Sequence, residues 1–321
     1  MQTVCSLASV TESCEGQSRA MRRRDFLTVA AVAAPIAGAL RVDLKSVKTR
    51  KAGKVEIVFD SPGLNPKPNG LQATDQGLWI IDQGPGSKAY LVDYEHGKTI
   101  REFATETTAS SGITFDGEAL WIGSTYSREL VKTDAATGKT LERHFTPGAG
   151  VIYKLAGDPP QRSSPLARKR QVAVQAQAPG RRSDSVSAGR GGTQVGGFQM
   201  GNVLGRAAPG TGAHGQEWRD GRLWFAVPPS RSVYCIDPKT WVVQRMFPTA
   251  GNRPHGIGWE GTYLWVTDSN LNAFHKHDPQ TGEIVEKIVL RDSDPLPHGM
   301  TIRNDWMWYC DDVGVICRMR I

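Results

Sequence analysis

The chain has 321 residues, of which 22% are charged, and a net charge of +7. Residues 1–41 hold five basic and three acidic residues and residues 157–213 hold eight basic and two acidic, so these two segments carry +8 and the remainder carries −1. A near-neutral body excludes a basic face built for nucleic acid, whatever the overall sign suggests.

The first recognisable element opens with Met21-Arg22-Arg23-Arg24-Asp25-Phe26-Leu27, followed by an Ala-rich apolar run over 28–40 that contains Ala37-Gly38-Ala39. A basic head, a short apolar stretch and small residues at its end make a secretory signal. Arg23-Arg24-x-Phe26-Leu27 also resembles the twin-arginine pattern. The run falls short of the roughly 20 apolar residues that span a bilayer, so no membrane attachment is expected after cleavage. Residues 1–53 are read as an upstream extension, a twin-arginine signal peptide and a linker, with Met21 as the start. The body, 54–321, is expected in the periplasm or secreted, exported already folded.

One phrase then returns five times. It runs from Asn69 to Asp82, Ser111 to Ser124, His214 to Val227, His255 to Asp268 and His298 to Asp311, with first and last residues 13 apart in every copy. A Trp sits at a fixed offset in each; Trp79, Trp121, Trp224, Trp265 and Trp308 are separated by 42, 103, 41 and 43 residues. A unit of about 40–45 residues made of short strands is a β-propeller blade, and helical periodicity is absent. Each phrase has the length of two strands of about five to six residues joined by a tight turn. Third strands are predicted at 232–236 and 273–277, Asp-initiated turns closed by Gly at 134–138 and 278–282, and a fourth strand at 283–288. The last copy ends inside a third strand at Ile321, so residues 54–60 are expected to supply its outer strand and close the ring.

Within the 103-residue gap, residues 157–197 are rich in Gly, Ala, Ser, Gln, Pro and Arg and have no aromatic residue. They cannot bury enough apolar area to offset ordering entropy and are read as a disordered insertion. The gap also has room for a degenerate copy starting near 148–155 and ending near 201–204. The expected fold is therefore an all-β propeller of about six four-stranded blades, with five as the alternative if that stretch is only a loop. Cys235, Cys310 and Cys317 are read as buried thiols, pairing of Cys310 with Cys317 across neighbouring strands being the alternative.

In a propeller, the mouth of the innermost strand and the end of the second reach the funnel. Two rings follow: Asn69, Ser111, His214, His255 and His298, then Asp82, Ser124, Val227, Asp268 and Asp311. Converging imidazoles and carboxylates can hold a divalent metal or share a proton, and a carboxylate beside a His fixes its tautomer for base catalysis. His255, His298 and His214 are the catalytic candidates and Asp268, Asp311 and Asp82 the metal candidates, with Glu217 and Asp312 behind them. The bland alternative is equally concrete: each His bonds a neighbouring loop and each Asp receives turn amides. His96, His144, His275 and His277 lie away from the axis and are read as structural. No nucleophile elbow, P-loop, Rossmann glycine pattern or HExxH is present.

Pro254-His255-Gly256-Ile257, Pro297-His298-Gly299-Met300 and the strands LWIID, LWFAV and LWVTD resemble the virginiamycin B lyase-like propellers, in the wider group that includes gluconolactonase-type hydrolases. The likeness covers about 70–321 without the insertion. It implies a funnel-face site with a divalent metal, often Mg²⁺, held by carboxylates at Asp268 and Asp311, with His255 or His298 as base. The implied reaction is ring opening of a cyclic ester by elimination. The chain has Asp where the family usually has Glu, and it lacks the family's Asn-Lys-Ile-Gly-Arg third strand. The resulting expectation is a metal-assisted lyase or hydrolase acting as a monomer on a small ester or lactone. A non-catalytic periplasmic ligand- or protein-binding propeller and a redox-cofactor propeller are the competing readings.

Overall fold

The structure, a computed structural model, describes residues 43–149, 162, 164–166 and 211–321. Five sheets, four of them four-stranded and one five-stranded, form five blades among these residues, each with a core of four antiparallel strands. Blade 1 is β3 (Pro68–Thr74), β4 (Gly77–Asp82), β5 (Lys88–Val92) and β6 (Thr99–Ala104). Blade 2 is β7 (Ser110–Phe115), β8 (Ala119–Ser124), β9 (Glu129–Asp134) and β10 (Thr140–Phe145). Blade 3 is β11 (Gln216–Arg219), β12 (Arg222–Val227), β13 (Ser232–Asp237) and β14 (Val242–Pro248). Blade 4 is β15 (Pro254–Glu260), β16 (Tyr263–Asp268), β17 (Ala273–His277) and β18 (Ile284–Val289). Blade 5 is β19 (Met300–Arg303), β20 (Trp306–Asp311), β21 (Val315–Arg320) and, from the other end of the chain, β2 (Glu56–Asp60) as its outer strand. The predicted ring closure is thus observed, with Glu56 opposite Arg318.

The expected sixth blade is not part of the ring, and five is the correct count. Five apolar clusters lie one at each blade interface, and the cluster between blades 2 and 3 joins Trp121 and Leu130 directly to Leu223 and Phe225. His144 of β10 stacks on Trp241 at 3.9 Å between ring centroids, and the Trp241 indole donates to the Phe145 carbonyl at 2.9 Å. No wedge fits between blades already in contact. The residues assigned to the degenerate copy and to the disordered insertion lie almost wholly outside the described ones.

The repeated Trp explains the stacking. Trp79, Trp121, Trp224, Trp265 and Trp308 are all buried, each within the cluster that its blade shares with the next. Truncating one such side chain costs about 3–5 kcal/mol. The outer turns follow their predicted chemistry: Asp134 accepts from the Thr137 amide at 2.7 Å, and Gly138 takes φ 77°. Cys310 and Cys317 are free thiols. Tyr309, not Cys310, lies opposite Cys317, so strand alternation sends the two sulfurs to different clusters.

The segment read as linker does more than expected. Lys48–Lys51 forms β1, a fifth strand on blade 4 that pairs parallel with β18, Lys48 opposite Glu286. Arg50 anchors it to Glu286 at 2.6 Å.

Candidate functional site

A residue of the first predicted ring, followed by Gly, lies at or just before the start of each innermost strand. These glycines form a belt where neighbouring blades touch backbone to backbone. A Cβ on Gly112, which has φ 78°, would overlap the His214 carbonyl, and one on Gly256 would overlap the Met300 backbone. In blades 1, 2 and 4 the register slips at this point, between Pro68 and Gly70, Ser110 and Ile113, and Pro254 and Ile257. Such a bulge redirects the following side chains. Residues one and four of the phrase consequently both face the axis.

The first positions form a continuous arc at the channel mouth. Ser111 Oγ lies 3.0 Å from His214 Nδ1. The His214 and His255 rings meet edge to face at 4.6 Å, and His255 and His298 lie 4.2 Å apart. His298 Nδ1 is 3.2 Å from Asn69 Oδ1. The predicted convergence of three imidazoles is therefore present, and all three are buried.

Hydrogen-bond chemistry fixes two tautomers. His255 Nδ1 faces the Arg253 carbonyl at 3.0 Å, which can only accept, so Nδ1 carries the proton. Ser269 Oγ, 3.2 Å from the same nitrogen, donates its own hydrogen to the Pro297 carbonyl at 2.6 Å and so accepts as well. His255 Nε2 is left with a lone pair. His298 Nε2 faces the Arg253 guanidinium at 3.2 Å, which can only donate, so this nitrogen too is unprotonated. Burial, then the neighbouring charges, lowers His214 to about 3 and His298 to about 4, and holds His255 well below 6.5. The trio is neutral at physiological pH.

The second ring is a set of loop clamps. Asp82, Asp268 and Asp311 each accept the backbone amide 15 residues earlier, from Lys67 at 3.1 Å, Arg253 at 2.9 Å and Leu296 at 2.9 Å. Ser124 Oγ likewise accepts the Thr108 amide, 16 residues earlier, at 2.8 Å. Asp268 also binds the Leu271 amide, Asp82 the Gly84 amide, and Asp311 the Ser164 hydroxyl at 2.6 Å. The pairs His255–Asp268 and His298–Asp311 form neither a hydrogen bond nor an ion pair; His298 instead faces Asp312 at 3.6 Å. Among the described residues no three His, Cys, Asp or Glu side chains converge as a metal requires. With the carboxylates engaged by amides and a guanidinium against His298, this donor set does not fit a divalent ion.

The fourth positions, Gln72, Thr114, Glu217, Gly258 and Thr301, form a floor three residues further along. Thr301 Oγ1 donates to Glu217 Oε1 at 3.1 Å across the axis, and Thr114 Oγ1 donates to Gln72 Oε1. Burial pushes the Glu217 carboxyl up to about 8 against the bonds from Thr301 and Gln72. At neutral pH it is an uncharged acid.

Above the arc lies a cavity of about 470 Å³ lined by Lys67, Arg253, the three His and Asp312, among others. Sequence reasoning missed Arg253. Its Nη1 donates to the Arg162 carbonyl at 3.1 Å and its Nη2 to His298. The signal was the cation-Pro step before the arc, Arg253-Pro254 in one copy and Lys67-Pro68 in another. Of the four remaining His, His275 and His277 are buried in β17, His277 Nδ1 facing the Gly282 carbonyl at 3.1 Å, and His96 is exposed in a turn.

No protein-family model and no curated protein matches this chain. Among solved structures it is similar to a glutaminyl cyclase from Myxococcus xanthus, at 10% identity over 86% of this chain and 98% of that one, with a TM-score of 0.52. A virginiamycin B lyase from Staphylococcus aureus aligns at 15% identity over 84% of this chain and 99% of that one, with a TM-score of 0.44. What the chain shares with the glutaminyl cyclase is the β-propeller fold.

Proposed function

We propose that the funnel mouth is the active site of an exported acid–base enzyme that opens or cleaves a small ester or lactone. The observation that carries this reading is His255: buried, neutral, held in one tautomer from behind, with Nε2 free to accept a proton beside a cavity of substrate size. In an elimination, Nε2 takes a proton from the carbon next to the C–O bond. That electron pair forms the C=C bond as the C–O bond breaks, and the released pair leaves on the carboxylate. A base held below pH 6.5 is weak but wholly unprotonated at neutral pH. The step uses only the lone pair of His255. Export rests on residues 21–40, which lie outside the described ones, and is checked by sequencing the amino terminus of the protein recovered from a periplasmic fraction.

The enzyme reading is tested with a panel of aryl esters and of small and macrocyclic lactones, comparing wild type with His255→Ala. Turnover lost in the variant supports it; no turnover by folded wild type on any member counts against it. The second reading, a non-catalytic ligand-binding propeller, draws on the low proton affinity of His214 and His298. It predicts ligand capture without turnover.

A further inference from the structure

Several arginines elsewhere on the propeller are matched to carboxylates. Arg50 binds Glu286 at 2.6 Å, Arg318 binds Glu56 at 3.0 Å, and Arg291 binds Asp294 at 3.0 Å. Arg253 is different. It is partly buried against the cavity, yet it forms no ion pair among the described residues. A guanidinium has five N–H donors in a planar fork. Two of the five are used, one on a carbonyl and one on an imidazole.

The nearest acids do not fill the gap. Asp268 spends its oxygens on the amides of Arg253 and Leu271. Asp312 faces His298 at 3.6 Å and forms no ion pair with Arg253. Asp312 and Asp268 act on the Arg253 charge without touching it, and a partly buried cation without a contacting carboxylate is costly unless a ligand completes its surroundings. Lys67 lines the same cavity from blade 1. Lys67 and Arg253 against Asp312 leave one net positive charge on the lining, which suits a monoanion better than a dianion.

We infer that Arg253 is a carboxylate receptor: the ligand of this funnel carries, or releases on cleavage, a monoanionic carboxylate that docks on the free edge of the guanidinium, with Lys67 as a second cation. This rests on the proposed ester or lactone chemistry and narrows it, since breaking the C–O bond of an ester leaves a carboxylate. A bidentate guanidinium–carboxylate pair is stronger and more directional than an ammonium contact, so lysine is not an equivalent replacement.

The experiment is calorimetric titration of the full chain with benzoate, acetate, acetamide and inorganic phosphate, with and without chelator. Benzoate or acetate should bind, acetamide should not, and chelator should change nothing. Arg253→Met should weaken carboxylate binding by about tenfold or more, Arg253→Lys by less, and Lys67→Ala by about two- to threefold. Unfolding midpoints of each variant report whether the fold survives, and Arg253→Lys, which keeps the charge, stands in if Arg253→Met does not fold. Carboxylate affinity unchanged in folded Arg253→Met or Arg253→Lys overturns the inference, as does preference for phosphate, equal binding of acetamide, no carboxylate binding at all, or binding that requires a metal. Because the readout is binding, its failure is separable from a failure to find a turned-over ester.

Discussion

At the mouth of the axial channel, burial keeps His214, His255 and His298 neutral by holding their proton affinity down. Three residues further along the same strands, burial keeps Glu217 neutral by pushing its carboxyl up to about 8. Both rings occupy equivalent places in the repeat and both have lost their charge. They differ in what completes them. The floor is satisfied from within, Thr301 reaching across the axis to Glu217 while accepting the Ala73 amide at 3.2 Å. The mouth leaves His255 Nε2 and the edge of Arg253 facing a cavity. Position in a propeller therefore does not decide whether an axial residue is chemical or structural; completion of its hydrogen bonds does.

The largest effect that would sharpen this contrast is on turnover. His255→Ala should lower the rate on a cleavable ester or lactone by about 10²–10⁴-fold, the usual worth of a general base, whereas Glu217→Gln should leave it nearly unchanged. Equal losses in steady-state assays would erase the distinction between mouth and floor.

Next in size is the pH dependence of stability. His214 and His275 are lowered to about 3, His277 and His298 to about 4, and His255 well below 6.5. The unfolded chain therefore binds protons that the fold refuses, and stability falls as pH drops from about 6.5 toward 4 and below. Glu217 at about 8 and Asp311 at about 7 act oppositely, as does Asp268, raised by burial. The fold holds their protons after the unfolded chain has released them, so stability also declines as pH rises through the range up to 8. Five imidazoles outweigh three carboxyls where the ranges overlap. Denaturant midpoints from pH 4 to 9 should peak near 6.5; a curve still rising at pH 9 would contradict the burial of the floor acid.

A smaller effect isolates the floor. Thr301→Val removes the hydroxyl that serves both Glu217 and the Ala73 amide and should cost about 1–3 kcal/mol. The smallest is Glu217→Gln measured as stability. It should be nearly neutral at pH 6, where the acid is already uncharged, and should reduce the decline between pH 6.5 and 8. A strong destabilisation at pH 6 would mean that the carboxyl is ionised.

Features that recur were readable in the sequence. The repeated phrase located the inner hairpins, the Trp series marked the blade interfaces, and the Asp-to-Gly turns fixed some of the outer ones, because each is dictated by local geometry that recurs along the chain. The arc of His214, His255 and His298 was legible for the same reason. What occurs once was not. The blade count was obscured because an insertion between β10 and β11 adds length without adding a wedge, and length was the only measure available. Arg253 escaped because a single arginine before a proline has no periodic partner beyond Lys67. Asp82, Asp268 and Asp311 were correctly placed at strand ends, yet their partners, amides 15 residues back, belong to loop paths that no spacing rule specifies. His298 meets Asp312 rather than Asp311 because the chain turns immediately after β20.

The outer strands β1 and β2 have a consequence in time. Residues 48–60 are made before their partners, Glu286 to Val289 and Val315 to Arg318, which lie more than 200 residues further along the chain. Until those partners emerge this segment is an unpaired edge, and it can latch fully only after all five inner hairpins have been made. Closing contacts so distant in sequence is slow. Assembly of the circle is thus a late, all-or-nothing event, and a cut or fusion within those dozen residues would loosen two neighbouring wedges together.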